Sequence, residues 1–332
     1  MTKNKKGFLT LAVGSYYRYL AKYLAISYRL NSNNYYPLAV VTDERTEELE
    51  KYYDSVIVTE DEIKDGYLYK LNLYNYSPFE ETIFIDADSF VIRDISYYWE
   101  LFKESNFGVF GINSTNYRGA KNFFNPEKVL AEFDVTTIPK FNGGVYYFKK
   151  NEKVKKVFLD ALALTERYDE FEMPRFKNAE VKHAAMGDEP LFSLAMVINN
   201  VKAVEDPQRR AMYNLNGSSF LKMDVLKQTC FYLKNGKPTN PSLVHFGTDR
   251  TGQYHYRKEV LKMYLTTHVN LNRKAVSLLT FPYAAVYVTG TFLYRLLMLK
   301  FKDMKDIEPT KSPYFELKKR LKRNVKKVMI AK

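Results

Sequence analysis

The sequence predicts an α/β fold, an open, mostly parallel sheet flanked by helices. Three observations carry that reading. From residue 8 to residue 85, apolar runs of strand length alternate with amphipathic helical segments, a β-α-β-α-β order. The last apolar run, residues 82–85, leads directly into Asp86-Ala87-Asp88, at the strand end where such sheets place ligands. The composition, 46% apolar and 27% charged over 332 residues, is that of a globular chain able to bury a full core without cross-links.

Each element follows from local pattern. Residues 8–13 form an apolar strand that ends at Gly14, and from Tyr17 the residues Leu20, Ala21, Leu24 and Tyr28 repeat at helical spacing. Residues 38–42 read as a second strand, 44–53 as a charged helix and 55–58 as a third strand. A helix over 68–76 is stopped by Ser77-Pro78. Further on, 145–148 reads as a strand after Asn142-Gly143-Gly144, and 152–167 as a helix. A helix over 190–198 is entered through Gly187-Asp188-Glu189, with Asp188 expected as its cap and Pro190 in its first turn. Residues 243–246 form a short strand containing His245.

Two carboxylates separated by one residue, Asp86 and Asp88, suit a hard divalent cation that bridges to phosphates. A strand ending in Asp-x-Asp also opens the phosphatases related to haloacid dehalogenases. Those enzymes want Thr or Val two residues beyond the second Asp and carry the motif at the start of their domain. Here Phe90 stands at that place and two β-α units precede it, so that reading is set aside.

Other segments stand in a telling order: residues 10–17, Lys70, Phe84-Ile85-Asp86-Ala87-Asp88, Phe141-Asn142-Gly143-Gly144-Val145, Gly187-Asp188-Glu189 and His245-Phe246-Gly247. In this combination the chain resembles the family 8 glycosyltransferases, which include glycogenin and bacterial lipopolysaccharide galactosyltransferases. The resemblance spans residues 8–256. It implies the GT-A nucleotide-diphospho-sugar transferase fold and transfer of a hexose from a UDP-sugar, with retention of anomeric configuration.

The resemblance also implies roles for individual residues. Ala12, Val13 and Tyr17 would hold the base, with the Tyr17 ring stacked on uracil. Asp86 and Asp88, flanking Ala87, would chelate Mn²⁺ or Mg²⁺ with His245 as third ligand; an imidazole favours Mn²⁺. Lys70 is similar to a basic residue near the donor, and Gly247 and Arg250 would face the diphosphate. Asn142, Gly143 and Gly144 would line the sugar, where glycine lets the backbone approach closely. Asp188 would bond donor hydroxyls, and Glu189, where relatives often carry Gln, would act as nucleophile or stabilise an oxocarbenium-like transition state. The Lys-Pro-Trp that ends the family pattern is absent.

Charge is concentrated. The formal net charge is +13, yet residues 311–332 hold nine Lys or Arg against the single acid Glu316. The rest of the chain is therefore nearly balanced, and nucleic acid is not an expected partner. The residues 275–294 are uncharged, and Leu317, Leu321, Val325 and Val328 draw an apolar stripe through the basic tail, as in helices that lie on anionic bilayers. The chain thus divides into a GT-A domain, 1–268, and a helical, basic and aromatic membrane-associating extension, 269–332. The basic N-terminus and the short apolar run at 8–13 do not make an export signal. With a single cysteine, Cys230, the expected setting is cytoplasmic, peripherally on the inner face of a membrane. The expected acceptor is a glycan or a lipid-linked one, met by residues 112–140 and 168–186. A rival expectation is a catalytically degenerate nucleotide-sugar-binding domain recruited to membranes by its tail.

Overall fold

The structure, a computed structural model, describes residues 5–63, 66–114, 124–177, 184–247 and 250–280. It consists of two compact units, Met1–His245 and Phe246–Lys332.

The first unit is built on a six-stranded sheet. Its strands in chain order begin with β1 (Lys6–Ala12), β2 (Leu38–Thr42), β3 (Ser55–Val58) and β4 (Glu81–Ile85). There follow β5 (Ser89–Val91), β6 (Phe107–Gly108), β7 (Gly111–Ser114), β8 (Ile138–Phe141) and β9 (Val145–Lys149). The spatial order is β3-β2-β1-β4-β9-β6. Strands β1 to β4 run parallel, whereas β9 is antiparallel to β4 and to β6. The order of strands reverses between β1 and β4, which opens a crevice beyond their carboxyl ends. Two short strands, β10 (Phe176–Lys177) and β11 (Ala184–Ala185), pair with each other.

Helices α1 (Ser15–Asn31), α2 (Glu47–Tyr52), α3 (Leu73–Tyr76), α4 (Tyr98–Leu101), α5 (Pro126–Phe133), α6 (Glu152–Ala163) and α7 (Asp188–Ile198) complete this unit. Alternation along β1 separates the two faces of the sheet. Phe8 meets Tyr28 of α1, with ring centroids 5.1 Å apart, while Leu9 joins the core shared with α6 and α7. That core is strongly aromatic: Phe192 lies 4.8 Å from Tyr146 and 5.2 Å from Phe158. Strand β2 is buried along its whole length, as expected for a strand covered on both faces.

The remaining strands are β12 (Met212–Asn214), β13 (Ser218–Asp224), β14 (Thr229–Lys234), β15 (Lys237–Thr239) and β16 (Leu243–His245). Strand β16 lies between β12 and β5, and β13-β14-β15 form a separate antiparallel sheet.

The parallel sheet and its helices match the sequence reading, with two corrections. The segment expected as one helix over 68–76 is a 3-10 helix, Gly66–Asn72, followed by the single turn α3. The cap of α7 is Gly187 rather than Asp188, which stands inside the first turn with its carboxylate engaged elsewhere.

In the second unit, Phe246 packs on Tyr256, and α8 (Tyr254–Thr267) is followed by α9 (Arg273–Thr280). Glu259 is fully buried and pairs with Lys258 at 3.1 Å and Lys262 at 3.2 Å. Among the described residues no helix is long and apolar enough to cross a membrane. Most of the uncharged run 275–294 and the whole basic tail lie outside the described residues, as do parts of 112–140 and 168–186.

Candidate metal centre

Two strand ends bring the Asp pair and His245 together. Asp86 leaves β4 at the edge of the crevice, and the turn through Ala87 and Asp88 leads into β5. Strand β5 pairs antiparallel with β16 in a register that sets His245 opposite Ser89, one residue beyond Asp88. The imidazole Nε2 consequently lies 3.0 Å from Asp88 Oδ1 and 3.5 Å from Asp86 Oδ2. Asp86, Asp88 and His245 each offer a ligand atom within 4.8 Å of the others. Ala87, between them, is buried.

The other side of the imidazole is held by Asn142. His245 Nδ1 lies 2.5 Å from Asn142 Oδ1, so Nδ1 donates and Nε2 is left to face the carboxylates. The amide's orientation is fixed in turn, because Asn142 Nδ2 donates to Glu189 Oε1 at 3.0 Å. The same oxygen accepts the Gly143 N–H at 2.7 Å.

A second bridge crosses the site through Lys70. Its Nζ lies 2.9 Å from Asp86 Oδ2, 3.2 Å from Asp188 Oδ2 and 3.0 Å from the Gly143 carbonyl. Tyr146 donates its hydroxyl to Asp188 Oδ2 at 2.7 Å. Asp188 and Glu189 occupy the first turn of α7, where the helix dipole favours negative charge. The contacts run from Glu189 through Asn142, His245, the two aspartates and Lys70 to Asp188, and only the peptide link between Asp188 and Glu189 closes the ring.

The ring closes over Gly143 and Gly144. A β-carbon on Gly143 would come 2.8 Å from Asp188 Oδ2 and from the Tyr146 hydroxyl, and one on Gly144 would come 2.8 Å from His245 Nδ1. No larger residue fits either place without displacing a site side chain. Gly144 also accepts the Asp86 N–H through its carbonyl at 3.0 Å, which fixes the turn beside the aspartates.

Burial and charge set the protonation of these groups. Burial pushes Asp86 up to about 6, against the pull of Lys70 and His245. Burial also opposes charge on Asp88, but the adjacent His245 outweighs it and holds that carboxyl below its usual range. For His245, burial favours the neutral ring, yet Asp88 and Asp86 raise it to about 9. Burial and the neighbouring Asp188 push Glu189 up to about 7, with the Gly143 N–H and Lys70 opposing. Lys70 is held protonated by Asp188 and Asp86 despite its burial.

Two carboxylates and an imidazole, with the ring nitrogen oriented by an amide, form a donor set that fits a divalent metal ion.

The other sequence-predicted residues fall in three places. Ala12, Val13 and Tyr17 lie at the carboxyl end of β1 and the start of α1; Tyr17 is part-buried, with its ring 5.8 Å from that of Tyr16. Lys70, Asn142, Gly143, Gly144, Asp188 and Glu189 are all drawn into the polar ring. Gly247, at φ 75°, and Arg250, whose N–H bonds the Gly247 carbonyl at 2.9 Å, belong to the second unit.

Sequence reasoning gave no role to Tyr146 or Asp43. Tyr146 sits on a continuously buried strand where it reads only as core. Asp43 Oδ1 accepts the Gly14 N–H at 2.8 Å and pairs with Arg18 at 2.5 Å, which ties the β1–α1 turn to the end of β2. A carboxylate that closes a parallel strand beside a glycine turn was the available signal for the latter.

No protein-family profile matches the chain. No curated protein matches it either. Among solved structures it is similar to mouse xyloside xylosyltransferase 1, with a TM-score of 0.47 at 12% identity, covering 74% of this chain and 99% of that one. It is also similar to the galactosyltransferase LgtC in complex with donor and acceptor sugar analogues, with a TM-score of 0.47 at 12% identity, covering 76% and 91%. The bifunctional glycosyltransferase WbbM gives a TM-score of 0.48 at 10% identity, covering 74% of this chain and 46% of its own. All three of these neighbours are described as glycosyltransferases. At such identities no residue role passes from one chain to the other.

Proposed function

We propose that this chain is a metal-dependent glycosyltransferase that moves a hexose from a UDP-sugar to a glycan or lipid-linked acceptor, with retention of anomeric configuration. The observation that carries the proposal is the convergence of Asp86, Asp88 and His245 at the strand-order switch, braced by Lys70 and Asn142.

In this reading Asp86, Asp88 and His245 Nε2 hold Mn²⁺, or Mg²⁺. When bound, the metal supplies Lewis-acid neutralisation of the diphosphate leaving group. Asn142 keeps the imidazole in the tautomer that presents Nε2, and Lys70 holds Asp86 and Asp188 in fixed positions. The absence of side chains at Gly143 and Gly144 leaves the backbone free to approach the sugar. Asp188 binds sugar hydroxyls. Glu189, on the same helical turn, presents a carboxylate whose charge favours a cation-like sugar in the transition state. The base is held at the end of β1, by Ala12, Val13 and Tyr17. The net +8 of residues 311–332 supports attachment to an anionic membrane on its cytoplasmic face, which suits a lipid-linked acceptor.

The test is UDP release from a panel of UDP-sugars with Mn²⁺, Mg²⁺ or EDTA, beside Asp88→Asn. Release from one donor, lost with EDTA and in the variant, is the expected result. Absence of both release and metal-dependent UDP binding would remove the glycosyltransferase reading and leave a membrane-recruited domain without catalysis.

A further inference from the structure

Strand β9 is buried from Val145 to Phe148, and at Tyr146 a phenylalanine would fill the same space but for the hydroxyl. The ring is enclosed by Phe84, Phe107, Phe141 and Phe192, at centroid distances of 6.0, 6.2, 5.8 and 4.8 Å. A hydroxyl sunk among aromatic rings costs free energy unless it is bonded, so its partner accounts for its presence. That partner is Asp188 Oδ2, at 2.7 Å.

Lys70 Nζ approaches the same oxygen at 3.2 Å, so both contacts of the Asp188 carboxylate fall on Oδ2. Oδ1 has no partner among the described residues and is not enclosed, although the residue is only 4% exposed. Glu189 repeats the pattern, because Oε1 takes both of its hydrogen bonds and Oε2 takes none. The donors around them are spent. Lys70 has three N–H bonds, and they meet Asp86 Oδ2, Asp188 Oδ2 and the Gly143 carbonyl. Asn142 Nδ2 and the Gly143 N–H both serve Glu189 Oε1. Together these groups offer a ligand two open acceptors, Oδ1 and Oε2, and no free donor.

We propose that Tyr146 is a positioning residue for sugar recognition: its hydroxyl locks Asp188 so that Oδ1 alone is presented to the donor sugar, and this wall of the crevice selects a neutral sugar over a uronic acid. The inference rests on the transferase reading above and adds to it the class of sugar. A neutral sugar brings O–H donors to Oδ1 and Oε2. A uronic acid brings a further carboxylate, which needs a cation or a donor, and Lys70 has none left to give. Turning Asp188 to present Oδ2 instead would break its bonds to both Tyr146 and Lys70.

The test is calorimetric binding of UDP, UDP-glucose, UDP-galactose and UDP-glucuronate to the full chain in Mn²⁺. Wild type should bind one of the two neutral UDP-hexoses more tightly than UDP, and UDP-glucuronate about 100-fold more weakly than that hexose. Tyr146→Phe should bind UDP as wild type does but lose about tenfold in affinity for the UDP-hexose, the loss expected for a hydrogen bond to a charged group. In an Asp188→Ala background the same change should cost nothing further, because it acts through that carboxylate. Equal losses for UDP and the UDP-hexose, a loss that adds in full to that of Asp188→Ala, or unchanged affinities would each overturn the positioning role. Glucuronate bound as tightly as the hexose overturns the selectivity. A wild type that binds UDP but gains nothing from either hexose overturns this inference alone, whereas one that binds no UDP in Mn²⁺ removes the transferase reading with it.

Discussion

Replacing Glu189 by Gln isolates one charge without disturbing its geometry. Both hydrogen bonds to this side chain, from Asn142 Nδ2 and the Gly143 N–H, land on Oε1, which a glutamine carbonyl reproduces. In the metal-free protein, burial and Asp188 raise the carboxyl from an ordinary 4.5 to about 7. A raised carboxyl binds its proton more tightly when folded, so folding favours the acid form. The protonated side chain is fully accommodated below pH 4.5, and stability is lost as the pH rises through 7. The shift corresponds to about 3 kcal/mol, and partial solvent contact trims it toward about 2 kcal/mol. Glutamine does not titrate. In EDTA, urea unfolding at pH 5 should give wild type and Glu189→Gln similar stabilities apart from a constant offset. At pH 8 the variant should have gained about 2 kcal/mol on the wild type. Stabilities that track each other within about 0.5 kcal/mol from pH 5 to pH 8 would refute the electrostatic account of this residue. The same variant should release less UDP from the accepted donor if the carboxylate stabilises the transition state, whereas unchanged turnover would leave Glu189 as a brace for Asn142 and Gly143.

Three further outcomes follow from the same contacts. Lys70→Met removes the ammonium shared by Asp86 and Asp188, leaving Asp86 with His245 and Asp188 with the Tyr146 hydroxyl; it should lower stability at pH 7 by about 3–5 kcal/mol, and the part due to Asp86 should disappear at pH 4, as read by denaturant titration. Gly144→Ala brings a methyl group to 2.8 Å from His245 Nδ1 and must move the ring; Mn²⁺ affinity by titration calorimetry should fall about 10- to 100-fold, with a stability loss of only about 1–3 kcal/mol. Phe220→Gly relieves a left-handed backbone at an exposed ring; thermal unfolding should report a gain of about 1 kcal/mol, and a loss instead would show that the ring packs in solution.

Periodicity and strand-end chemistry determined the parallel sheet and the Asp86-Ala87-Asp88 turn, whereas the other segments of the site were expected only from the family resemblance. Parallel strands buried on both faces must be continuously apolar, and their carboxyl ends are where open α/β sheets place ligands. What depends on distant partners was not legible. Lys70 is expected near the donor only through the family resemblance; its place on a helix does not tell of the 3-10 geometry of Gly66–Asn72, which buries it against Asp86 and Asp188. Asp188 reads as a helix cap, yet Tyr146 and Lys70 supply stronger partners and Gly187 takes the cap position. Tyr146 is one more aromatic residue on a buried strand until the fold sets its hydroxyl beside α7. The strained Phe220 is invisible in sequence, because a bulge is a property of two strands in register. Local sequence determined which residues end strands and turn helices. Only the tertiary structure decided which buried charges meet, because the free energy of a buried ion depends on the partner that replaces its water, and that partner comes from elsewhere in the chain.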